Sequence, residues 1–175
     1  MEIIPVKITA KIFKEAQERN NKYHKQFGNT GTHRLNQRRQ RMTGYLAEAC
    51  IRSLYPEIQY NEDYSVDFLF NQFTIDSKAQ GCNGKPLPRY VATLYEEQKN
   101  RNCDYYIFSR VKNDFSEAWI CGIISKVNFF KAANFSPAGT KTNNFVYDQG
   151  RYEIQYDKLN SIIEFLNPTN HDENI

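Results

Sequence analysis

The chain has 175 residues with a formal net charge of +3, and its 40% hydrophobic and 25% charged residues are typical of one folded domain. No stretch approaches the roughly 18 consecutive apolar residues of a membrane span, and the segment MEIIPVKITAKIF lacks the features of a signal peptide. We therefore expect an intracellular, cytoplasmic protein with no membrane partner.

The predicted elements follow one another as helices first and strands later. Helices are predicted over 8–25 and 32–55, with Thr32 as a capping residue and Pro56 after the second helix. Strands are predicted over 57–60, 64–70, 73–80, 104–111 and 118–124, with a strand-like stretch over 145–155. A helix over 89–100, a short helix after Ser125 and a closing helix over 157–165 complete the order.

This order predicts an α/β fold in which helices flank a central mixed β-sheet. We expect a single domain over 1–166, whose first part, 1–55, is a basic helical region. A polar tail covers 167–175.

The four cysteines (Cys50, Cys82, Cys103 and Cys121) contain no CxxC pair, and the three histidines lie far from them in sequence. This spacing argues against a zinc site. We expect the cysteines to be reduced packing residues.

Two charged residues face each other in the predicted hairpin VDFLFNQFTIDSK, residues 66–78. If the hairpin turns at Asn71-Gln72, Asp67 lies opposite Asp76, and strand alternation places Lys78 on the same face. Opposed carboxylates repel each other, and Mg²⁺ is a natural occupant between them. The alternative is a surface face carrying an ordinary Asp–Lys ion pair.

The preceding helix carries a stripe of basic and aromatic residues that leads to one acid. The stripe consists of Arg34, Arg38, Arg41, Tyr45 and Glu48, at spacings of 4, 3, 4 and 3. Residues 1–54 contain 11 Lys and Arg against 4 Asp and Glu, whereas the remainder contains 12 against 16. The stripe therefore predicts a surface for a polyanion, although a solvated helix face would account for it too.

The segments GYLAE, SVDF and IDSK together resemble the PD-(D/E)XK nuclease superfamily, which has the restriction-endonuclease-like fold. That superfamily has an acid on a helix, then an acid on a hairpin, then (D/E)-x-K, followed by a helix and further strands. The resemblance covers about residues 32–124. The family name implies a proline before the first aspartate, where this chain has Val66.

The resemblance implies that Asp67 and Asp76 are metal-binding carboxylates and that Glu48 binds or positions a metal. The backbone carbonyl of Ser77 would be a further metal ligand.

Two further residues of the hairpin also match the superfamily. Lys78 would be the catalytic lysine, and Gln80 corresponds to a polar residue that many members place there. The implied cofactor is Mg²⁺, with Mn²⁺ as a substitute.

The implied function is that of a metal-dependent endonuclease acting on DNA, with RNA left open as a substrate. Arg34, Arg38, Arg41 and Tyr45 would grip the phosphate backbone, and Lys85 and Arg89 would contact it from the loop over 81–89. Dimerisation is common in the superfamily, so a homodimer is consistent with the resemblance.

Two other functions remain open at this stage. The chain could bind nucleic acid on the same fold without cutting it. It could also be a protein-interaction module, if the aromatic stretches NFFKAANF and DYYIF form an interface rather than core.

Overall fold

The computed structural model describes residues 2–27, 35–142 and 145–167, without the side chains of residues 27 and 35–38. The strands are β1 (Ile4–Lys7), β2 (Gln59–Tyr60), β3 (Phe68–Phe70), β4 (Phe73–Cys82), β5 (Val91–Tyr95), β6 (Tyr105–Lys112), β7 (Glu117–Ser125), β8 (Asn134–Ser136) and β9 (Arg151–Gln155). The α-helices are α1 (Ala10–Phe27), α2 (Leu35–Leu54), α3 (Lys126–Ala132) and α4 (Ile162–Leu166). Short 3₁₀ helices cover Glu96–Asn100 and Tyr156–Lys158.

The strands form two sheets. The larger sheet has six strands in the order β1-β7-β6-β4-β3-β2, with β4 and β6 parallel and the other neighbours antiparallel. The smaller sheet is antiparallel, in the order β5-β9-β8. The predicted α/β class with a central mixed sheet is confirmed.

Each face of the larger sheet contributes to a separate core cluster. On one side, Leu46 of α2 packs with Ile75 and Ile107 in a cluster that also contains residues of α1. On the other side, Phe108 packs with Phe129 of α3 and with residues of the smaller sheet. Alternation along β6 sends Ile107 to the first cluster and its neighbour Phe108 to the second.

The predicted hairpin register is confirmed. Phe70 pairs with Phe73 and Phe68 pairs with Ile75, so the turn lies at Asn71-Gln72. Asn71 has a φ of 52°, a left-handed conformation that asparagine tolerates better than most residues. The ladder begins at Phe68, which leaves Asp67 one residue before the strand.

The helix predicted over 89–100 is wrong. Residues Val91–Tyr95 form β5, and only Glu96–Asn100 are helical, in the 3₁₀ form. The alternating side chains of this strand bury Ala92 and Leu94 while β9 supplies the hydrogen-bonding partner. The link between the parallel strands β4 and β6 therefore passes through the second sheet, and it lacks the α-helix that the resemblance implied.

Other elements match the predictions to different degrees. The two long helices, the strands β4, β6 and β7, and the cap of α3 are confirmed, since Ser125 Oγ accepts from the Asn128 amide at 3.3 Å. Strands β1 and β8 were not predicted, and the stretches 57–60, 64–70 and 145–155 contain only short strands at their C-terminal ends. The closing helix is split into a 3₁₀ turn and α4. The capping residue Thr32 and most of the predicted tail lie outside the described residues.

Within the part of the chain that the structure describes, no helix has both the length and the apolar character needed to cross a membrane. All four cysteines are free thiols, and Cys50, Cys103 and Cys121 are buried, as predicted for packing residues.

Candidate active site

One face of helix α2 lines a cavity of about 370 Å³, called the first cavity below. Arg41, Gly44, Tyr45 and Glu48 all line this cavity, so the described part of the predicted stripe does share one face. Tyr45 is 9% exposed and forms part of the cavity wall rather than an open surface. Of the other stripe residues, Arg34 and the side chain of Arg38 lie outside the described residues.

Glu48 is buried and faces a buried arginine. Arg19 of α1 donates from Nε to Glu48 Oε2 at 2.9 Å, and both side chains are less than a tenth exposed. The same guanidinium lies over the rings of Tyr60 and Tyr64, at 4.0 Å and 4.7 Å from their centroids. Burial, followed by the negative charge of Asp67, raises the pKa of Glu48 to about 8 despite the charge of Arg19.

Asp67 lies just before β3 and next to β4. Its Oδ2 accepts from the Ser77 amide at 2.7 Å, and its carbonyl oxygen accepts from Arg19 Nη2 at 3.5 Å. Burial and then the charge of Asp76 raise the pKa of Asp67 to about 7. Asp67 and Asp76 are therefore close enough for the negative charge of Asp76 to oppose ionisation of Asp67.

Asp76 is fully buried on β4 between two cations. Lys78 Nζ lies 2.5 Å from its Oδ2, and Arg101 Nη2 donates to its Oδ1 at 3.4 Å. Although Lys78 is within ion-pair distance, Oδ2 has no partner with hydrogen-bond geometry. The structure thus brings together Glu48, Asp67, Asp76 and Lys78.

A second cavity has a volume of about 450 Å³. Gln80 lines it together with Lys78, between α2 and the segment formed by β5 and the following 3₁₀ helix. The remaining predicted contacts, Lys85 and Arg89, are exposed on the loop that joins β4 to β5 and line neither of these two cavities.

Three residues of this site were not predicted from the sequence. Arg19 lies on the buried stripe of α1, since the buried residues Ile12 and Ala16 precede it at spacings of 7 and 3. A charge on such a stripe is a signal for a buried partner. Tyr64, with a left-handed φ of 59°, and Arg101 carried no comparable signal in the sequence.

The carboxylates meet the requirements of a divalent-cation site only in part. Among the described residues, no three or more His, Cys, Asp or Glu side chains form a group that could hold a metal ion. Glu48 Oε2 accepts from Arg19 Nε, so binding a cation there would require Glu48 to exchange this partner. Asp67 and Asp76 do fit a hard cation, because Mg²⁺ typically uses one or two carboxylates and retains several waters.

Compared with known proteins, the chain matches no protein-family model and no curated sequence.

Proposed function

We propose that the chain is a Mg²⁺- or Mn²⁺-dependent nuclease of the restriction-endonuclease-like type, acting on DNA as an endonuclease. The observation that carries this proposal is the convergence of Asp67, Asp76 and Lys78 on one hairpin beneath Glu48. Burying adjacent carboxylates costs free energy, and the raised pKa values of Glu48 and Asp67 reflect this cost. A bound cation would offset it.

Asp67 and Asp76 would hold the cation, which supplies Lewis-acid stabilisation of a phosphate oxygen and activation of water. Ser77 fixes the first of these carboxylates through its amide, and its own carbonyl is the further ligand that we propose. Glu48 would act through Arg19 to position the carbonyl of Asp67, unless it exchanges Arg19 for the cation.

Besides its ion pair with Asp76, Lys78 would act on the substrate. Its side chain is about a quarter exposed, so the ammonium group reaches the boundary between the buried carboxylate and the open cleft. From there it would stabilise negative charge that develops on the phosphate or orient the attacking water. Gln80, two residues further along β4, would extend this polar face.

Positively charged residues around the first cavity would bind the phosphate backbone. Arg41 and Arg101 line that cavity, and Arg41 Nη1 lies 2.9 Å from His24 Nε2. We assign the same role to Arg34, Arg38, Lys85 and Arg89, with Tyr45 as an aromatic wall. Cutting both strands of a duplex would require either a homodimer or two binding events.

One observation favours a second candidate, a nucleic-acid-binding protein that does not cut. Glu48 is paired with Arg19, and Asp76 is paired with Lys78 and Arg101, so internal cations already compensate these acids. In this alternative the first cavity binds nucleic acid, and Glu48 and Asp76 only hold Arg19 and Arg101 in position beside it.

The deciding experiment incubates the purified protein with plasmid, linear duplex DNA, single-stranded DNA and RNA, each with Mg²⁺, Mn²⁺ or EDTA. We expect metal-dependent cleavage of DNA by the wild type and none by Asp76→Ala. Identical products from the wild type and Asp76→Ala would refute the assignment. Binding that is retained by the wild type without any cleavage would establish the second candidate.

A further inference from the structure

Arg101 lies between the carboxylates and the first cavity. Its Nη2 donates to Asp76 Oδ1 at 3.4 Å, and its side chain is 39% exposed. Arg101 and Asp67 both line the first cavity, whereas Lys78, the other cation beside Asp76, lines the second. A divalent cation that reaches the two aspartates through the first cavity therefore meets Arg101.

The backbone of Arg101 is held firmly, but its side chain is held weakly. Its amide donates to the Gln98 carbonyl at 3.0 Å, and its carbonyl accepts from the Cys103 amide at 3.1 Å and from Lys126 Nζ at 2.5 Å. Its Nε is buried and has no hydrogen-bond partner among the described residues. The contact with Asp76 exceeds the roughly 2.7–2.9 Å of a strong charge-assisted hydrogen bond. The guanidinium can therefore leave Asp76 while the backbone stays in place.

Arg101 and a divalent cation are alternative partners of the same carboxylate. Asp67 and Asp76 provide two carboxylates, the number that Mg²⁺ commonly uses. A cation bound to Asp76 would neutralise the charge that attracts Arg101 and would repel its guanidinium. The released guanidinium would remain at the first cavity, because its backbone is fixed there.

A phosphate group suits the released guanidinium. Arginine binds phosphate through two parallel hydrogen bonds, and a phosphate at the bound cation would lie next to Arg101. Arg41 also lines the first cavity, but it contacts His24 Nε2 at 2.9 Å and has no ion pair with a carboxylate among the described residues. Its contact with a phosphate would therefore not depend on the cation.

We propose that Arg101 couples cation binding to nucleic-acid binding. It compensates Asp76 in the metal-free protein and moves to the phosphate when the cation takes its place. This inference rests on the proposed function, because the cation and the phosphate are those of the proposed cleavage site. As a consequence, the cation and the nucleic acid each increase the affinity of the protein for the other by the same factor.

The test measures binding of labelled DNA, of the form that the wild type cleaves, by fluorescence anisotropy in Ca²⁺ and in EDTA. Ca²⁺ replaces Mg²⁺ because it also binds carboxylate oxygens, and a gel verifies that the DNA remains intact. For the wild type we expect Ca²⁺ to increase the affinity about 5- to 150-fold. Arg101→Met should bind DNA like the wild type in EDTA and should lose most of the increase in Ca²⁺.

Arg41→Met is the matched control in the same cavity. It should weaken DNA binding by the same factor in Ca²⁺ and in EDTA, because Arg41 is not released by the cation. Arg101→Lys keeps the charge but lacks the two parallel hydrogen bonds, so it should show an intermediate increase. Thermal unfolding would verify that the variants are folded, and Arg101→Lys decides if Arg101→Met fails to fold.

Calorimetric titration with Ca²⁺ provides a second measurement that involves no cleavage. Without DNA, Arg101→Met should bind Ca²⁺ more tightly than the wild type, because the competing guanidinium is gone. With DNA present, the Ca²⁺ affinity of the wild type should increase by the factor found for DNA binding.

The outcomes separate this inference from the proposed function. A wild type that cleaves DNA with Mg²⁺ but binds it equally well in Ca²⁺ and EDTA would overturn the inference alone. The same conclusion would follow if Arg101→Met kept the full increase in Ca²⁺, or weakened binding equally in both conditions. A wild type that cuts no nucleic acid would overturn both.

Discussion

Arg19 and Glu48 form an ion pair in the protein interior, with 2.9 Å between Nε and Oε2. The pair joins α1 to α2, and Arg19 also reaches the carbonyl of Asp67. The acid on the helix is therefore positioned by another helix before any ligand binds.

Removing only the cation of this pair should be strongly destabilising. Arg19→Met leaves Glu48 buried without its partner, and we expect a loss of about 3–5 kcal/mol in the free energy of unfolding at pH 9, which lies above the Glu48 pKa of about 8. Urea titration would measure it. The double variant Arg19→Met/Glu48→Gln should recover much of the loss, and equal instability of the single and double variants would contradict a charge-pair origin.

Lys78→Ala should slow cleavage with little change in substrate binding, because the ammonium group is assigned to charge that develops during the reaction. We expect a decrease of about 10²- to 10³-fold in the single-turnover rate at saturating enzyme. Lys112→Ala, on the neighbouring strand β6 and paired with Asp114, is the control. Unchanged turnover in Lys78→Ala would exclude Lys78 from the reaction.

Metal-free protein should become less stable as the pH rises. The pKa values of Glu48 and Asp67 are raised to about 8 and about 7, so above the ordinary carboxyl range the native state binds more protons at these groups than the unfolded chain does. Stability is therefore highest below the ordinary carboxyl range and decreases through pH 7–8, with a slope of up to about 1.4 kcal/mol per pH unit for each group.

The measurement is chemical unfolding from pH 5 to pH 8.5 in EDTA, with Asp67→Asn as a variant in which the slope should be smaller. Adding Mg²⁺ should stabilise the wild type more at high pH, because a cation competes with protons for the same carboxylates. Stability that rises with pH in EDTA would refute the raised values.

Arg41 should contribute to nucleic-acid affinity equally for all sequences. For Arg41→Ala we expect weaker binding to all sequences and a decrease of about 1 in the slope of log affinity against log salt concentration. Fluorescence anisotropy at several salt concentrations would measure it, with the exposed Lys158→Ala as control. An unchanged salt slope would place Arg41 away from phosphate.

Gly44 offers a way to separate stability from access to the first cavity. A Cβ at this position would meet no atom within 4 Å, so Gly44→Ala should stabilise α2 by about 1 kcal/mol. Gly44→Leu should also fold but should fill the cavity and weaken nucleic-acid binding. Gly84→Ala, equally unobstructed but in a loop, should show no comparable gain in thermal stability.

The part of the site that lies within one hairpin could be predicted from the sequence, because a two-residue turn fixes which side chains are opposite each other. The positions of Asp76 and Lys78 follow directly from that register, and Asp67 lies one residue before its first pair. The contacts of Arg19 and Arg101 depend on tertiary packing between distant segments, which local patterns do not encode. Pairing with β9 likewise determines the conformation of 91–95, a segment whose side chains are compatible with a helix.

Strand β1, at one edge of the larger sheet, has a consequence for folding. Ile4 lies opposite Ile120 in the β1–β7 ladder, so the N-terminal strand can join the sheet only after most of the chain has been synthesised. Contacts between such distant segments close large loops and slow the folding of a domain. We therefore expect completion of this edge to be a late event during biosynthesis, with the chain depending on its helices for early structure.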